Sequence, residues 1–368
     1  MKCANCNFLM KEYKWGFLCE ECGERVLNKQ PLEEGLWYDT AFDNFFSVIS
    51  HEYHSVQELL KMDKIAGAFL QMKDLLEVLL KFPVIVEMAW LVQGEKELED
   101  YKLLYQLLSQ TLSLGHWRGI LQQMIKRSRH NIFSSDFLSA VCDMYSKEYQ
   151  FADKKSDIVK WRNEKIGHGA YSINDHKMIA DIHVLLNLVK RHFDQYQQNY
   201  RQMNVALPDQ EAYLKGYFKA KDFEQTDAEL RYQLPDGSWL SLYPFLVIRK
   251  KQIFIFDSFL YDKKKYDVLS YPVAVKTEYK KEPMQELLET IYMECRRKLE
   301  KQQQMENIQQ ENDLDIHHML RSQEEAIIQE REEIQKVEYL NAWIKDCIDH
   351  SGEQKFLLLM ESGMGKTT

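Results

Sequence analysis

The sequence lacks the excess of basic residues that broad duplex-DNA binders usually carry. Its 368 residues include 48 Lys and Arg against 57 Asp and Glu, which leaves a formal net charge of −9 at pH 7. Duplex binders normally present a positive surface to the phosphate backbone. This balance argues against broad DNA binding, although local basic patches can still contact RNA.

A long uninterrupted apolar run is also missing. The longest apolar stretch, 78–92, is broken by Lys81, Pro83 and Glu87, so it predicts a buried helix and not a membrane span. The first residues lead directly into polar, cysteine-bearing sequence and show no apolar core of a signal peptide. We therefore expect a cytoplasmic protein with no membrane partner.

Glycine and proline are sparse between residues 36 and 200. Apolar residues recur there at three- and four-residue spacing, as in Phe42, Phe45, Phe46 and Ile49, which is the pattern of amphipathic helices. We predict an all-α bundle over 36–200. Its expected helices are 37–61, 63–92, 97–113, 117–129, 134–149, 156–166 and 174–199.

Four of the seven cysteines lie within the first 22 residues, as two Cys-x2-Cys pairs: Cys3, Cys6, Cys19 and Cys22. Two such turns can direct four thiolates at one metal ion, and a segment of this size needs the metal to fold. Four sulfur ligands leave no open position for catalysis. We predict structural zinc, with a rubredoxin-like iron centre or a redox dithiol as alternatives. The segment 1–30 resembles the zinc ribbons that begin many bacterial multidomain proteins.

The helical region contains the string Trp161-Arg-Asn-Glu-Lys-Ile-Gly-His-Gly169. Arg162 and His168 fit the spacing R-x4-6-H, with Asn163 directly after the arginine. In an all-helical region of this size, the string resembles the HEPN family. That resemblance implies a bundle of four to five helices and, in many members, a metal-independent ribonuclease.

By this resemblance His168 is the general acid/base, Arg162 clamps the phosphate of an RNA substrate, and Asn163 orients one of them. An imidazole titrates near neutral pH, and a planar guanidinium matches a phosphate. Some relatives also have an acidic partner, for which Glu77 is a candidate. On an ideal helix Arg162 and His168 point about 120° apart. They converge only if the helix ends near Gly167, or if two protomers share a composite site in a homodimer or higher oligomer.

A structural reading of the same residues stays open. His168 then lies in a loop between glycines, while Arg162 caps a helix or forms a salt bridge. The helical region would in that case be a non-catalytic docking or oligomerisation module.

The pattern changes after residue 200. A polar run, 201–225, predicts a linker, and 229–234, 239–248, 252–256 and 267–271 predict strands of a small antiparallel sheet within a β-rich region, 201–282. A charged segment, 283–336, follows, with apolar positions too irregular for a clear heptad. We expect a long solvated helix or helix pair that acts as a connector, with coiled-coil dimerisation as the alternative.

The last segment, 337–368, combines a short amphipathic helix, an apolar strand at 354–360 and a glycine-rich string. Its residues Gly363, Gly365, Lys366 and Thr367 fit a P-loop, which cradles ATP phosphates and magnesium. Met360 replaces the first glycine of that pattern. The segment resembles the start of a STAND- or AAA-like NTPase. We expect the chain to be the N-terminal part of a longer protein, in which ATP with magnesium would bind.

The predicted fold class is multidomain α+β. It comprises a zinc ribbon, an all-α HEPN-like bundle, a small antiparallel β-rich domain, a long charged helix, and the first strand and P-loop of an incomplete α/β NTPase. The predicted function is the effector part of a bacterial antiphage or stress NTPase, with a HEPN-like ribonuclease under the control of ATP binding.

Overall fold

The structure is a computed structural model that describes residues 2–13, 16–22, 25–27, 36–127, 132–167, 175–208, 213–217, 227–249, 252–261, 263, 265–271, 275–279 and 283–350. The chain divides into two compact units, Met1–Leu299 and Glu300–Thr368. It is mostly helical, with small antiparallel sheets and a four-cysteine cluster. None of the helices in the described ranges is long and apolar enough to cross a membrane.

The first unit begins with a three-stranded antiparallel sheet. Its strands, in the order β1-β2-β3, are β1 (Lys11–Tyr13), β2 (Gly16–Leu18) and β3 (Arg25–Leu27). The buried residues of this segment are Cys3, Met10 and Cys19, and they form a cluster separate from the main core. So few apolar side chains cannot stabilise a fold by burial alone.

The helical region follows, and its helices are α1 (Thr40–Asn44), α2 (Ser47–Lys61), α3 (Ile65–Gln93), α4 (Leu98–Leu108), α5 (Leu114–Lys126), α6 (Ser135–Ser146), α7 (Ile158–Arg162) and α8 (Asp175–Arg201). A π-helical turn, Asn163–Gly167, continues α7. A short hairpin of β4 (Tyr149–Gln150) and β5 (Lys155–Ser156) precedes α7. These boundaries lie close to the predicted ones, with two differences. The helix predicted over 97–113 ends at Leu108, and the first predicted helix is divided.

The predicted helix 37–61 is two helices, α1 and α2. The break falls at Phe46, whose backbone is extended and pairs with Lys215 in an antiparallel bridge. The amide of Ser47 also donates to the carbonyl of Leu214 at 3.0 Å. A distant segment of chain therefore takes the hydrogen bonds that would have continued the helix.

Helix α3 is the centre of the first unit. It packs against α2, α5, α6 and α8, and residues 75–89 are buried without interruption. A helix that is apolar on nearly every side is stable only when other elements surround it. This arrangement also takes the charged residues Glu77, Lys81 and Glu87 of α3 into the core.

The β-rich region forms two antiparallel sheets where the sequence predicted one. A five-stranded sheet has the order β13-β12-β11-β10-β7, and a three-stranded sheet has the order β6-β8-β9. The strands are β6 (Val205–Ala206), β7 (Asp227–Glu229), β8 (Arg231–Gln233), β9 (Trp239–Ser241), β10 (Leu246–Arg249), β11 (Gln252–Leu260), β12 (Lys265–Tyr271) and β13 (Val275–Tyr279).

Three predictions for this region differ from the structure. The predicted strand 239–248 divides into β9 and β10, which enter different sheets. The predicted strand 229–234 divides at the buried Leu230 into β7 and β8, which enter different sheets. The predicted linker contributes β6, which pairs with β8. Lys215 holds the former linker against the end of α8, because its ammonium donates to the carbonyl oxygens of Arg201 and Met203.

Strands and helices share one hydrophobic core. Seven consecutive residues of β11 are buried, which is typical of a strand covered on both faces. The ring of Phe256 on β11 lies 6.1 Å from that of Trp117 on α5, and Phe82 on α3 lies 6.5 Å from Tyr232 on β8. The core of the helical region is therefore completed by the sheets.

Helix α9 spans Pro283–His350 without a break. The sequence reading ended one helix near 337 and began a second there, but the structure has a single helix. Within the first unit it is anchored by the ring of Tyr292, which stacks on Tyr105 and Tyr261 at 5.3 and 4.7 Å. Beyond residue 300 its described apolar side chains are largely exposed.

Candidate functional site

The four cysteines of the N-terminal segment converge. Their sulfur atoms all lie within 4.8 Å of one another, with Cys3 and Cys22 at 3.4 Å and Cys6 and Cys19 at 3.2 Å. Sulfur ligands of a tetrahedral zinc lie roughly 3.8 Å apart for bonds of about 2.3 Å. The observed spacing brackets that value and exceeds the ~2.05 Å of a disulfide. The cluster has the geometry to hold a metal ion.

A tight backbone turn over residues 3–8 positions the sulfurs of the first pair, Cys3 and Cys6. The amide of Cys3 donates to the carbonyl of Phe8 at 2.8 Å, and the amide of Asn7 donates to the carbonyl of Cys3. Asn7 adopts φ = 65°, a left-handed conformation that asparagine tolerates. The amide of Asn5 donates to the Cys3 sulfur at 3.4 Å. A thiolate that accepts backbone hydrogen bonds is favoured over a thiol, as metal binding requires.

The second candidate site is built around Arg162, the last residue of α7. Asp157 caps this helix, because its carboxylate accepts the amide of Lys160 at 2.8 Å. The buried ring of Trp161 fixes the helix laterally, since its indole nitrogen donates to Asp181 at 2.8 Å. With Trp161 held in the core, Arg162 is directed towards α3.

The guanidinium of Arg162 has two identified partners. Nη2 donates to Glu77 Oε1 at 3.2 Å, and Nη1 donates to Asn163 Oδ1 at 3.4 Å. Nε is buried and has no hydrogen-bond partner among the described residues. The side chain as a whole is 27% exposed. The Arg162 guanidinium is thus fixed by Glu77 and Asn163, while part of the side chain remains accessible to solvent.

Glu77 belongs to a chain of buried charges that crosses from α3 to the sheet. The ammonium of Lys81 lies 3.0 Å from the carboxylate of Glu77, which precedes it by one turn of α3. The same ammonium lies 2.7 Å from the carboxylate of Asp257 on β11. The register between β11 and β12 shifts between Phe256 and Ser258, so Asp257 lies in a β-bulge. A bulge can turn a side chain away from the regular face of the sheet, which here places a carboxylate against a helix.

The pKa directions of Glu77 and Lys81 favour the ionised form of both groups at neutral pH. Burial alone would raise the pKa of Glu77, but the cations of Lys81, Lys73 and Arg162 hold it below its ordinary value. Burial alone would lower the pKa of Lys81, but Glu77 and Asp257 raise it. Arg162 is therefore anchored to a carboxylate that remains anionic.

The backbone beyond Arg162 is not an ideal α-helix. Residues Asn163–Gly167 form a π-helical turn, a geometry often found at functional sites. Ion pairs hold the turn to the β4–β5 hairpin: Glu164 pairs with Lys154 at 2.7 Å, and Lys165 pairs with Asp153. The 120° separation expected from an ideal helix does not apply to such a turn.

Several predicted site residues lie outside the described residues. They are His168 and the P-loop residues Gly363, Gly365, Lys366 and Thr367. In the structure Arg162 contacts both Asn163 and Glu77. The role of His168 and the binding of ATP remain predictions.

The sequence reading missed Lys81 and Asp257 as parts of the site. A signal was available, since each is a lone charge inside an apolar stretch, 78–86 for Lys81 and 253–259 for Asp257. Buried charges are stable when paired. Two isolated charges in separate apolar segments are therefore candidates for partners, although the sequence does not say which pairs form.

A scan against protein-family models and searches of curated proteins and solved structures found no match for this chain. The assignment of function therefore rests on the geometry of these two sites.

Proposed function

We propose that the helical region cleaves RNA without a metal ion, in the manner of HEPN-type endoribonucleases, with Arg162 as the phosphate ligand and His168 as the general acid/base. The observation that supports this proposal best is the state of the Arg162 guanidinium. It is oriented by Glu77 and Asn163, which take only two of its N–H groups, and the side chain is partly exposed. An oriented guanidinium with a spare donor is suited to bind a phosphate oxygen.

The proposed reaction is transesterification within RNA. The 2′-oxygen forms a bond to the adjacent phosphorus while the bond from phosphorus to the 5′-oxygen breaks. The products are a 2′,3′-cyclic phosphate and a free 5′-hydroxyl. His168 accepts the proton of the 2′-hydroxyl, and an imidazolium returns a proton to the leaving 5′-oxygen. Arg162 stabilises the negative charge that develops on the phosphate, and Asn163 limits the rotation of its guanidinium.

We further propose that the four cysteines hold zinc in a structural role. Four sulfur donors at tetrahedral spacing are a typical zinc set, and burial of Cys3 and Cys19 leaves little room for a substrate. The chemistry of RNA cleavage would not involve this metal. We also propose that the predicted P-loop, which resembles those of STAND- or AAA-like NTPases, places the ribonuclease under the control of ATP binding.

One observation favours a second candidate, a non-catalytic docking or oligomerisation module. Arg162 and Glu77 neutralise each other's charge in an ion pair at 3.2 Å, as a purely structural salt bridge would. In that reading Arg162 serves to attach α7 to α3, and substitution affects stability and assembly alone.

An RNA cleavage assay with the whole chain separates the two functions. We expect wild-type protein to release fragments with 2′,3′-cyclic phosphate ends in the presence of EDTA. His168→Ala should lower the rate by about a hundredfold or more, which is the usual contribution of general acid–base catalysis. Arg162→Lys keeps the positive charge but loses the planar fork, so we expect a comparable loss.

Matched controls are available on α9, where His317 and Arg321 are exposed. His317→Ala and Arg321→Ala should cleave RNA at the wild-type rate. Circular dichroism melts show whether each variant is folded. Folded wild-type protein that leaves total RNA intact, or that cleaves it equally after His168→Ala, would contradict the proposed ribonuclease.

A further inference from the structure

The second unit exposes a row of large apolar side chains along α9. About half or more of the surface of each is exposed, and the row comprises Met305, Ile308, Leu314, Ile316, Met319, Leu320, Ile327, Ile328, Ile334, Val337 and Tyr339. Contiguous apolar surface of this extent is rare on a soluble monomer and marks an interaction site. An isolated helix also gains most of its stability from packing of an apolar face.

The continuity of α9 reveals a heptad pattern that the two-helix reading hid. Leu320, Ile327 and Ile334 recur at intervals of seven residues. The intermediate position of the heptad is apolar at Ile316 and Val337 and polar at Gln323 and at position 330, a glutamate in the sequence. The sequence places Ile344 and Ile348 at the next two seam positions, after Asn341. Over 316–348 the seam runs for about 50 Å at 1.5 Å per residue. Such a stripe is typical of a left-handed coiled coil.

We propose that residues 323–348 form an antiparallel two-stranded coiled coil with the same segment of a second copy of this chain. The charges beside the seam favour this occupant. Glu324, Arg331, Glu338 and Lys345 lie at seven-residue intervals on the same flank, and all four are exposed. In an antiparallel pair this flank of one helix faces the same flank of the other.

One register satisfies both the charges and the seam. When Ile334 of one copy lies opposite Val337 of the other, Glu324 faces Lys345 and Arg331 faces Glu338, and two-fold symmetry repeats each pair. In this register Asn341 lies opposite position 330, a glutamate in the sequence. Gln323 lies opposite position 348, an isoleucine in the sequence. The layer of Asn341 with position 330 is a buried polar layer of the kind that selects a coiled-coil register.

Other arrangements of the same two helices are disfavoured. A shift of one heptad brings Glu324 opposite Glu338 and Arg331 opposite its own copy. A parallel pair brings Glu333 beside Glu338 of the other copy. Like charges at such positions act against an arrangement. A surface that complements itself about a two-fold axis is the requirement for a symmetric dimer, which is why a second copy is favoured over an unrelated helix.

Sedimentation equilibrium of the whole chain tests the proposed dimer. Ile334→Asp would bury two carboxylates at the centre of the seam, so we expect the dissociation constant of the dimer to rise by about a hundredfold or more. Ile328→Asp is the matched control, since Ile328 is 57% exposed against 54% for Ile334 but lies off the seam. It should leave the dimer unchanged. A wild-type monomer at all concentrations, or a dimer that Ile334→Asp does not weaken, would overturn the proposal.

The orientation has its own test. Arg331→Glu alone should weaken the dimer by about tenfold, and addition of Glu338→Arg should restore it. Lys336→Glu, an equal charge change off the seam, should have no effect. In a chain with Ile334→Cys and Val337→Cys, oxidation should give a covalent dimer in which the tryptic peptide 332–336 is joined to 337–345. Disulfides that join each peptide to its own copy would show a parallel pair and refute the antiparallel register.

This inference concerns the second unit alone and does not depend on the proposed ribonuclease. The seam variants measure assembly, whereas His168→Ala measures cleavage. Failure of either proposal is therefore distinguishable from failure of the other.

Discussion

Removal of the Lys81 ammonium is the sharpest test of the buried charge chain. In Lys81→Met the side chain keeps similar length, but Glu77 and Asp257 lose the cation that lies 3.0 and 2.7 Å away. All three groups are buried. Loss of one member of a buried ion pair typically costs roughly 3–5 kcal/mol, because an unpaired charge remains in the core. We expect a decrease of that size in the free energy of unfolding at pH 7.

The pH dependence gives this prediction a sign. The pKa of Glu77 lies below its ordinary value in the folded protein, so its contribution to stability is present above the unfolded pKa of about 4.5 and is lost as pH falls through the folded pKa. Lys81 has a raised pKa, and its contribution persists below its unfolded value. The difference between wild type and Lys81→Met should therefore be constant from about pH 6 to 9 and shrink below about pH 4.5.

Urea unfolding followed by tryptophan fluorescence measures this difference, with Lys147→Met as the control. Lys147 pairs with Asp143 at 2.9 Å, but both side chains are more than half exposed, so its loss should change the free energy of unfolding far less than the loss of Lys81. Lys81→Met combined with Asp257→Leu should recover part of the stability, because one of the two orphaned carboxylates is then absent. Equal costs for Lys81→Met and Lys147→Met would refute the buried charge chain.

Three further predictions concern titration and metal binding. Burial raises the pKa of Glu87 to about 7, so the folded state binds an extra proton between pH 4.5 and 7. The contribution of Glu87 to stability therefore falls as pH rises through that window. Glu87→Gln should flatten this part of the curve of Tm against pH. Burial lowers the pKa of His192 to about 4, so its contribution to stability is lost as pH falls from about 6.5 to 4. His192→Phe should reduce this acid sensitivity. Part of the sensitivity should remain, because burial also lowers the pKa of His51 to about 4. Purified protein should contain about one zinc per chain by mass spectrometry of the metal. Cys19→Ser should abolish that content and Cys142→Ser should preserve it, whereas equal zinc in both variants would exclude the cysteine cluster.

Local pattern was sufficient for the elements whose stability is local. The four cysteines are close in sequence, and their convergence follows from two short turns that any Cys-x2-Cys pair can form. The helices α3, α6 and α8 follow an apolar spacing that extends over several turns. For such segments the face that is buried can be read from the sequence, because no distant partner changes it.

Contacts between distant segments account for what the sequence did not reveal. The break at Phe46 depends on backbone pairing with Lys215, about 170 residues away. The π-helical turn after Arg162 is held by residues of the preceding hairpin. In the same way Asp257 meets Lys81 only because a β-bulge and a helix pack together. Spacing along the chain contains none of this information.

The same long-range contact constrains how the molecule can be divided. A chain cut after residue 208 would retain every helix that surrounds Arg162, yet it would lose the carboxylate of Asp257 and the rings of Tyr232 and Phe256. Lys81 would then face water or an unfilled cavity, and Phe82 and Trp117 would be uncovered. The ribonuclease proposal should consequently be assayed on chains that extend at least to Leu299, since a shorter piece would confound loss of catalysis with loss of folding.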